Sequence, residues 1–235
     1  MIQRLEPAFD SLELAVNAQS EFDLAKLSGT IKLALSPFLL SAFSSELYQT
    51  LSTEAPNVQF HLRNWYENSL QDLTKDELLV GVNYEISHAP KELLQHRLGQ
   101  DSFCVYLRKD HPFKQDSIDI LSSGEFEFAT IIAPDWNTHT SFAEKVMKMH
   151  GVVPKIKFRS ELPSAIFDVV ENSNLMFPAS KFINISQRKL RKVLVRVDTT
   201  SFTPEVFLYH HHKHRNNETV LWLKEHIKRC IDKRT

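Results

Sequence analysis

Along residues 30–51, TIKLALSPFLLSAFSSELYQTL, the spacing of apolar residues changes at Ser36-Pro37. Ile31, Leu33 and Leu35 alternate, as in a half-buried strand, whereas Leu39, Phe43, Leu47 and Leu51 recur every fourth residue, as on one face of a helix. Ser36 is placed to cap that helix by accepting a hydrogen bond from a free backbone N–H, and Pro37 at the first helical position has no N–H to leave unsatisfied. The remaining free N–H groups and the helix dipole then point past the carboxyl end of a strand, where open α/β sheets bind their ligands. A cap with no ligand is the alternative at this point.

The same alternation of periods continues. Val58, Phe60 and Leu62 alternate after Pro56-Asn57, Leu70 and Leu73 begin a short helix, and LLVGV at 78–82 suits a buried parallel strand, which makes βαβαβ. A second set follows: FCVYL at 103–107, FATII at 128–132, a helix with Phe142, Val146 and Met149, the strand KIKF, a helix with Ile166, Val169 and Val170, and LMF at 175–177. Strands near 193–197 and 205–209 and a helix from about Glu218, with Val220, Leu221, Leu223 and Ile227, complete the pattern. Two α/β units with a crevice between them follow from this order. Ahead of them, Ile2, Leu5, Phe9, Leu12 and Val16 are spaced 3, 4, 3, 4, the seam of a helix that pairs with another; Pro7 interrupts it. A surface helix folded back on its own domain has the same pattern.

Composition narrows the class without changing that picture. A chain of 235 residues, 42% hydrophobic and 24% charged, can bury a proper core. Cys104 and Cys230 make no disulfide framework, the N-terminus has Glu6, Pro7 and Asp10 where a secretory signal needs an apolar run, and no stretch is long enough for a membrane span. A cytoplasmic location is expected. The net charge of −1 is unevenly spread: residues 181–235 hold 13 Lys and Arg against 5 Asp and Glu, a net of +8, leaving −9 on residues 1–180. Without interleaved aromatics or a Gly-rich arm, that basic end reads as a solvated face rather than a nucleic-acid surface.

Catalytic signatures are absent. The sequence has no G-x-G-x-x-G, P-loop, H-E-x-x-H or G-x-S-x-G. His111 in DHPF reads as a structural turn residue before it reads as a general base. His210, His212 and His214 in YHHHKH would share one side of a strand, a conceivable metal site, but no nearby carboxylate or cysteine completes it and a solvated basic loop is the simpler expectation. Neither a metal nor a cofactor is expected. Cys104 reads as a buried small hydrophobe, not a redox sensor.

The order of SGTIKLALS before a helix, then EAPNVQFHL, LQDLTKDELLVGV, DHPF at 110–113 after a strand and VVENSNLMFPAS at 169–180 resembles the effector-binding domain of LysR-type transcriptional regulators. The resemblance spans nearly the whole chain. It implies an α/β fold of the type II periplasmic-binding-protein-like kind, two Rossmann-like lobes with a cleft, preceded by a linker helix. The implied domains are residues 1–27 as linker and dimerisation helix, 28–100 with 199–235 as lobe I, and 101–198 as lobe II. Two departures stand out: Leu79 replaces the usual Asp of its strand, and ENSNLMFP lacks the usual glycine-rich turn, which points to an altered pocket or a stiffer hinge. The family's winged helix-turn-helix is missing from this chain, which reads as a fragment beginning in the linker helix.

The implied function is regulatory: a small effector, anionic or polar, shifts the lobes and thereby the geometry of a homodimer or homotetramer, and DNA is contacted only through the missing domain. No membrane partner is implied. Ser36, Pro37 and Phe38 are expected to face the effector. NYE after Val82, APDWNTHTS after Ile132 and RSELPS after Phe158 should converge on them, with Tyr84 and Trp136 as apolar walls and Asn83, Thr138 and Ser160 as hydrogen-bonding groups. Aromatic side chains that plug the cleft are the alternative; a stand-alone solute-binding protein or an enzyme on the same fold are the alternative functions.

Overall fold

The first sheet is built around Gly29–Leu35 (β1), which pairs in parallel with Val58–Asn64 (β2) on one side and Val80–Tyr84 (β3) on the other, Leu33 opposite Leu62 and Val80. The structure, a computed structural model, describes residues 22–132, 140–196 and 203–234. Between β1 and β2 runs Pro37–Glu54 (α1), which buries Leu39, Phe43, Leu47 and Leu51, the four residues of the heptad-like face, together with Phe38 and Ala42. Ser69–Thr74 (α2) leads into β3, every residue of which is buried. Such burial on both faces is why LLVGV shows no alternation. Gly81 is required there, because a Cβ at that position would lie 2.5 Å from the Trp65 ring.

Leu93–Gln100 (β4) and Glu205–His211 (β11) complete the sheet in the order β2-β1-β3-β11-β4, with β11 antiparallel to both neighbours. The strand β4 is missing from the sequence expectation. Only Leu93 and Leu98 of LLQHRLGQ are buried, and the stretch has no β-branched residue to mark it. Glu218–Asp232 (α5) covers β4 and packs on α1, capped by Asn217, whose side chain accepts from the Val220 N–H.

The second sheet orders Ser117–Asp119 (β6), Leu190–Arg196 (β10), Phe103–Arg108 (β5) and Phe177–Ser180 (β9). The parallel pair Glu127–Ile131 (β7) and Lys155–Ser160 (β8) continues it, because the Ala129 N–H donates to the Met176 carbonyl (2.9 Å) and the Met176 N–H to the Glu127 carbonyl (2.9 Å). Phe142–Met149 (α3) and Pro163–Glu171 (α4) are its helices. Two expectations shift here. The strand placed at 175–177 runs instead over Phe177–Ser180, and on α3 it is Met147 that is buried while Met149 is 81% exposed. The two methionines are two residues apart and so lie on opposite faces, and the face of an eight-residue helix is weakly fixed by its own pattern.

The chain passes between the sheets at residues 101–102 and again before β11. The Asp101 N–H donates to the Pro204 carbonyl (3.0 Å), tying the two crossings together. One apolar core spans the boundary, with Leu35, Phe38 and Phe43 from the first sheet and its helix and Tyr106, Phe177 and Phe182 from the second. The expected leading helix falls on residues 1–21, outside the described residues; Leu24–Lys26 form a single 3-10 turn capped by Asp23. Among the described residues no helix is long and apolar enough to cross a membrane.

Candidate functional site

Leu35 ends β1 held on both sides: the Trp65 N–H donates to its carbonyl (2.7 Å), and the Ser36 N–H donates to the Val82 carbonyl (2.9 Å). The first intrahelical bond of α1 runs from the Leu40 N–H to the Ser36 carbonyl (2.8 Å), so the N–H groups of Phe38 and Leu39 stand ahead of the helical ladder. The expected cap does not form. Ser36 makes no side-chain bond to the helix, and its Oγ, on a residue 1% exposed, has no hydrogen-bond partner. A backbone pinned by β3 on one side and Pro37 on the other fixes Ser36 at ψ 149° without bringing its Oγ to an N–H. A buried hydroxyl without a partner costs about 1–3 kcal/mol, which marks the place as one waiting for an acceptor or donor.

Two residues beyond Ser36, Phe38 enters a cluster of aromatic rings. Phe38 packs edge-on to Phe103 with centroids 5.8 Å apart and tilts against Phe177 at 6.2 Å; Phe103 meets Phe142 at 4.9 Å and Tyr84 at 6.1 Å. Between Phe38, Phe103, Phe142 and the ends of β7 and β9 a gap of only about 10 Å³ remains, room for one water at most. Beside it lies a wider opening of about 310 Å³ lined by Tyr84, Glu85, Phe103, Phe142, Thr203, Pro204 and Glu205. That mouth has two carboxylates and, among its described lining residues, no cation.

Of the expected site residues, Ser36, Pro37, Phe38, Asn83 and Tyr84 are brought together at the ends of β1 and β3, and all are buried. Asn83 turns its Oδ1 to the Tyr84 N–H (2.9 Å), and Tyr84 directs its ring at Phe103 while its hydroxyl donates to Asp101 Oδ2 (2.7 Å). Ser160 sits at the end of β8 opposite Ile131, its Oγ accepting from the Leu162 N–H (3.1 Å). Trp136 and Thr138 lie outside the described residues. The sequence reading missed Phe103, Phe142 and Asp101. Phe142 had a signal: Ser141 and Glu144 form a capping box around it, the S-x-x-E pattern of a helix start.

Asp101 sits at the crossing between the sheets, where its carboxylate also accepts from the Ser102 N–H (2.7 Å). Burial pushes its carboxyl above the usual range against the opposing hydrogen bonds of Ser180, Tyr84 and Ser102, and burial with the Asp101 charge raises the Tyr84 hydroxyl well above its own. Cys104, one residue into β5, is buried against the Ala179 carbonyl and its thiol is pushed up to about 11 by burial, so it stays a thiol at neutral pH.

The histidines do not form one site. His212 Nδ1 faces the Glu92 carbonyl, His214 pairs with Asp76, and β11 has already ended at His211. His210 is not in a solvated loop: it is 1% exposed, with its Nε2 2.9 Å from His96 Nε2 on β4. The two rings are 7° from parallel with centroids 5.0 Å apart, which at that N–N distance is a head-to-head hydrogen bond and not a stack. His210 Nδ1 faces the His211 carbonyl (2.9 Å) and so carries the hydrogen, leaving Nε2 to accept from His96. His111 is held the same way, its Nδ1 accepting from the Phe113 N–H (3.0 Å) and its Nε2 facing the Asn174 carbonyl (3.0 Å).

Burial pushes all three of these histidines below the ordinary value, aided at His96 by Lys224 and Arg215. Each therefore binds a proton less readily folded than unfolded. Their stabilisation is complete above the unfolded pKa of about 6.5 and drains away as pH falls from there toward the folded values. Thermal unfolding followed from pH 7.5 to 5 should show a falling melting temperature, and His210→Gln should flatten that slope; a slope unchanged in the variant would contradict the head-to-head pair.

Two α/β sheets linked by two crossings and one shared apolar core make up the fold. The chain matches the LysR substrate binding domain over residues 25–230 and belongs to that family. Solved structures agree on the fold. A probable transcriptional regulator from Pseudomonas aeruginosa superposes with a TM-score of 0.73 at 18% identity, covering 96% of this chain and 77% of that one. The regulatory domain of MexT, a transcriptional activator in Pseudomonas aeruginosa, gives 0.71 at 14% identity over 88% of this chain and 100% of that one. The effector binding domain of QuiR in complex with shikimate gives 0.65 at 15% identity over 86% and 97%. The chain is an effector-binding regulatory domain of the LysR type.

Proposed function

We propose that the Ser36 turn is where this domain reads its effector, and that residues 28–100 with 199–235 and residues 101–198 are the two lobes the effector draws together. The unpartnered Ser36 Oγ at the start of α1 carries this reading. With the Phe38 and Leu39 N–H groups beside it, the turn suits a ligand that presents a carboxylate or carbonyl oxygen. Glu85 at the mouth weighs against strong net negative charge, Glu205 being paired with Arg97 (2.6 Å), so amides and hydroxy compounds belong in the search beside carboxylates. The effector acts by binding one lobe arrangement better than another, and the difference passes through a homodimer or homotetramer to DNA-binding domains. No catalytic step enters: His111, the histidine weighed in the sequence as a general base, has both ring nitrogens engaged by backbone.

A second reading has an observation of its own. The gap of only about 10 Å³ beside Phe38, between Phe38, Phe103 and Phe142, favours a crevice plugged by these rings, as in a domain that needs no metabolite. Thermal shift against small carboxylates, aromatic acids and their amides decides between the two. Ser36→Ala should leave the unliganded melting temperature unchanged or slightly raised, because the hydroxyl makes no bond to lose, while weakening a hit about fivefold, the worth of one hydrogen bond of about 1 kcal/mol. A full response in Ser36→Ala, or none from the panel, favours the plugged domain. Sedimentation should show self-association; a chain that stays monomeric at high concentration would contradict the oligomeric part.

A further inference from the structure

A cavity of about 200 Å³ lies within the second sheet half, beneath α3. Val105, Ile118, Phe128, Val146, Met147 and Val195 line it from four strands and the helix, and among its described lining residues the polar side chains are the hydroxyls of Ser102, Ser123 and Thr203 and none is charged. The pocket is partly open to solvent, so a ligand can enter it without the sheet half having to unfold. Apolar cavities of about 150 Å³ stay dry and take up single-ring compounds. This one is larger and partly open, and its described lining disfavours an ion, which would be desolvated without a partner.

Its wall is shared. Phe103 and Phe142 line this cavity, the gap of about 10 Å³ beside Phe38 and the wider mouth beside Tyr84. A ring that enters from one side must press on this pair, which also lines the gap beside Phe38, two residues from Ser36. We propose that the cavity is a second, apolar binding site for an uncharged compound of one or two rings, coupled to the Ser36 crevice through Phe103 and Phe142. The site exists independently of the Ser36 assignment; only its use as a regulatory input rests on that reading.

Indole and benzoate are the probes, and the Met147 methyl resonance of the whole 235-residue chain is the reporter. Indole should shift that resonance saturably and give intermolecular NOEs to it. Benzoate, no larger but charged, should bind at least about tenfold more weakly, because its carboxylate would be desolvated without a partner. Val146→Phe, which places a ring in the cavity from α3, should abolish the indole response, and Val195→Phe should do so from β10 if the first variant does not fold. Ser36→Ala should leave the indole response intact, which separates failure of this site from failure of the crevice. No saturable indole shift, equal binding of benzoate, a response that survives in the filled variants, or one lost in Ser36→Ala would overturn the proposal.

Discussion

Phe177→Ala should lower the unfolding free energy by about 3–5 kcal/mol, the range for removing a buried aromatic ring that neighbours cannot replace. Phe177 is fully buried at the start of β9, and its ring lies 5.5 Å from Phe167, 6.2 Å from Phe38 and 6.5 Å from Tyr106. Those neighbours come from α4, α1 and β5, three elements from both sides of the boundary, so no single movement closes the void. Phe38 would lose one of its two ring partners. Urea unfolding measures the effect, with the midpoint falling and the slope unchanged. A loss below about 1 kcal/mol would mean that the boundary is not packed as described.

The second large effect concerns Arg159. Its guanidinium donates to both carboxylate oxygens of Glu144 (2.7 and 2.8 Å) and reaches Thr130 Oγ1 (3.3 Å), while Glu144 also accepts from the Ser141 N–H (2.8 Å). Burial works to raise the Glu144 carboxyl, but the Arg159 and Ser141 bonds outweigh it and hold it below the usual range. Removing the arginine leaves a buried carboxylate at the start of α3. Breaking a fully buried pair costs about 3–5 kcal/mol; with Arg159 partly exposed, Arg159→Ala should cost about 2–3 kcal/mol at pH 7. Because the carboxyl is depressed in the folded chain, the pair's contribution is complete above the unfolded pKa of about 4.5 and is lost as pH falls through the folded value. The gap between wild type and variant should therefore narrow in urea titrations at pH 3.5, and adding Glu144→Gln to Arg159→Ala should recover part of it at pH 7. A gap independent of pH would contradict the pair's role.

What sequence pattern makes legible here is local. The β1–Ser36–α1 unit follows from two clean periods meeting at Ser-Pro, and the buried residues of α1 are those its spacing selects. The Ser36 side chain was not legible: Ser before Pro at a helix start favours a cap, but the neighbouring strand decides the rotamer's surroundings. Phe103 and Phe142 were recognised as strand and helix residues, yet their meeting with Phe38 depends on two crossings between sheets that no local period records. The strand β4 escaped because an edge strand under a helix has no need of β-branched residues on its open side. His210 misled because three adjacent histidines look solvated, whereas β11 is inserted mid-sheet and turns alternate residues inward.

Hydrogen–deuterium exchange with a thermal-shift hit reports where the ligand is held, lobe by lobe. If the effector sits at the Ser36 turn between the lobes, exchange should slow in the segment that contains the Phe38 and Leu39 N–H groups and, with the same ligand dependence, in the segments at Thr130–Ile131 and Ser141–Phe142 across the boundary. Protection confined to one lobe, or protection that bypasses the start of α1 altogether, would contradict the account.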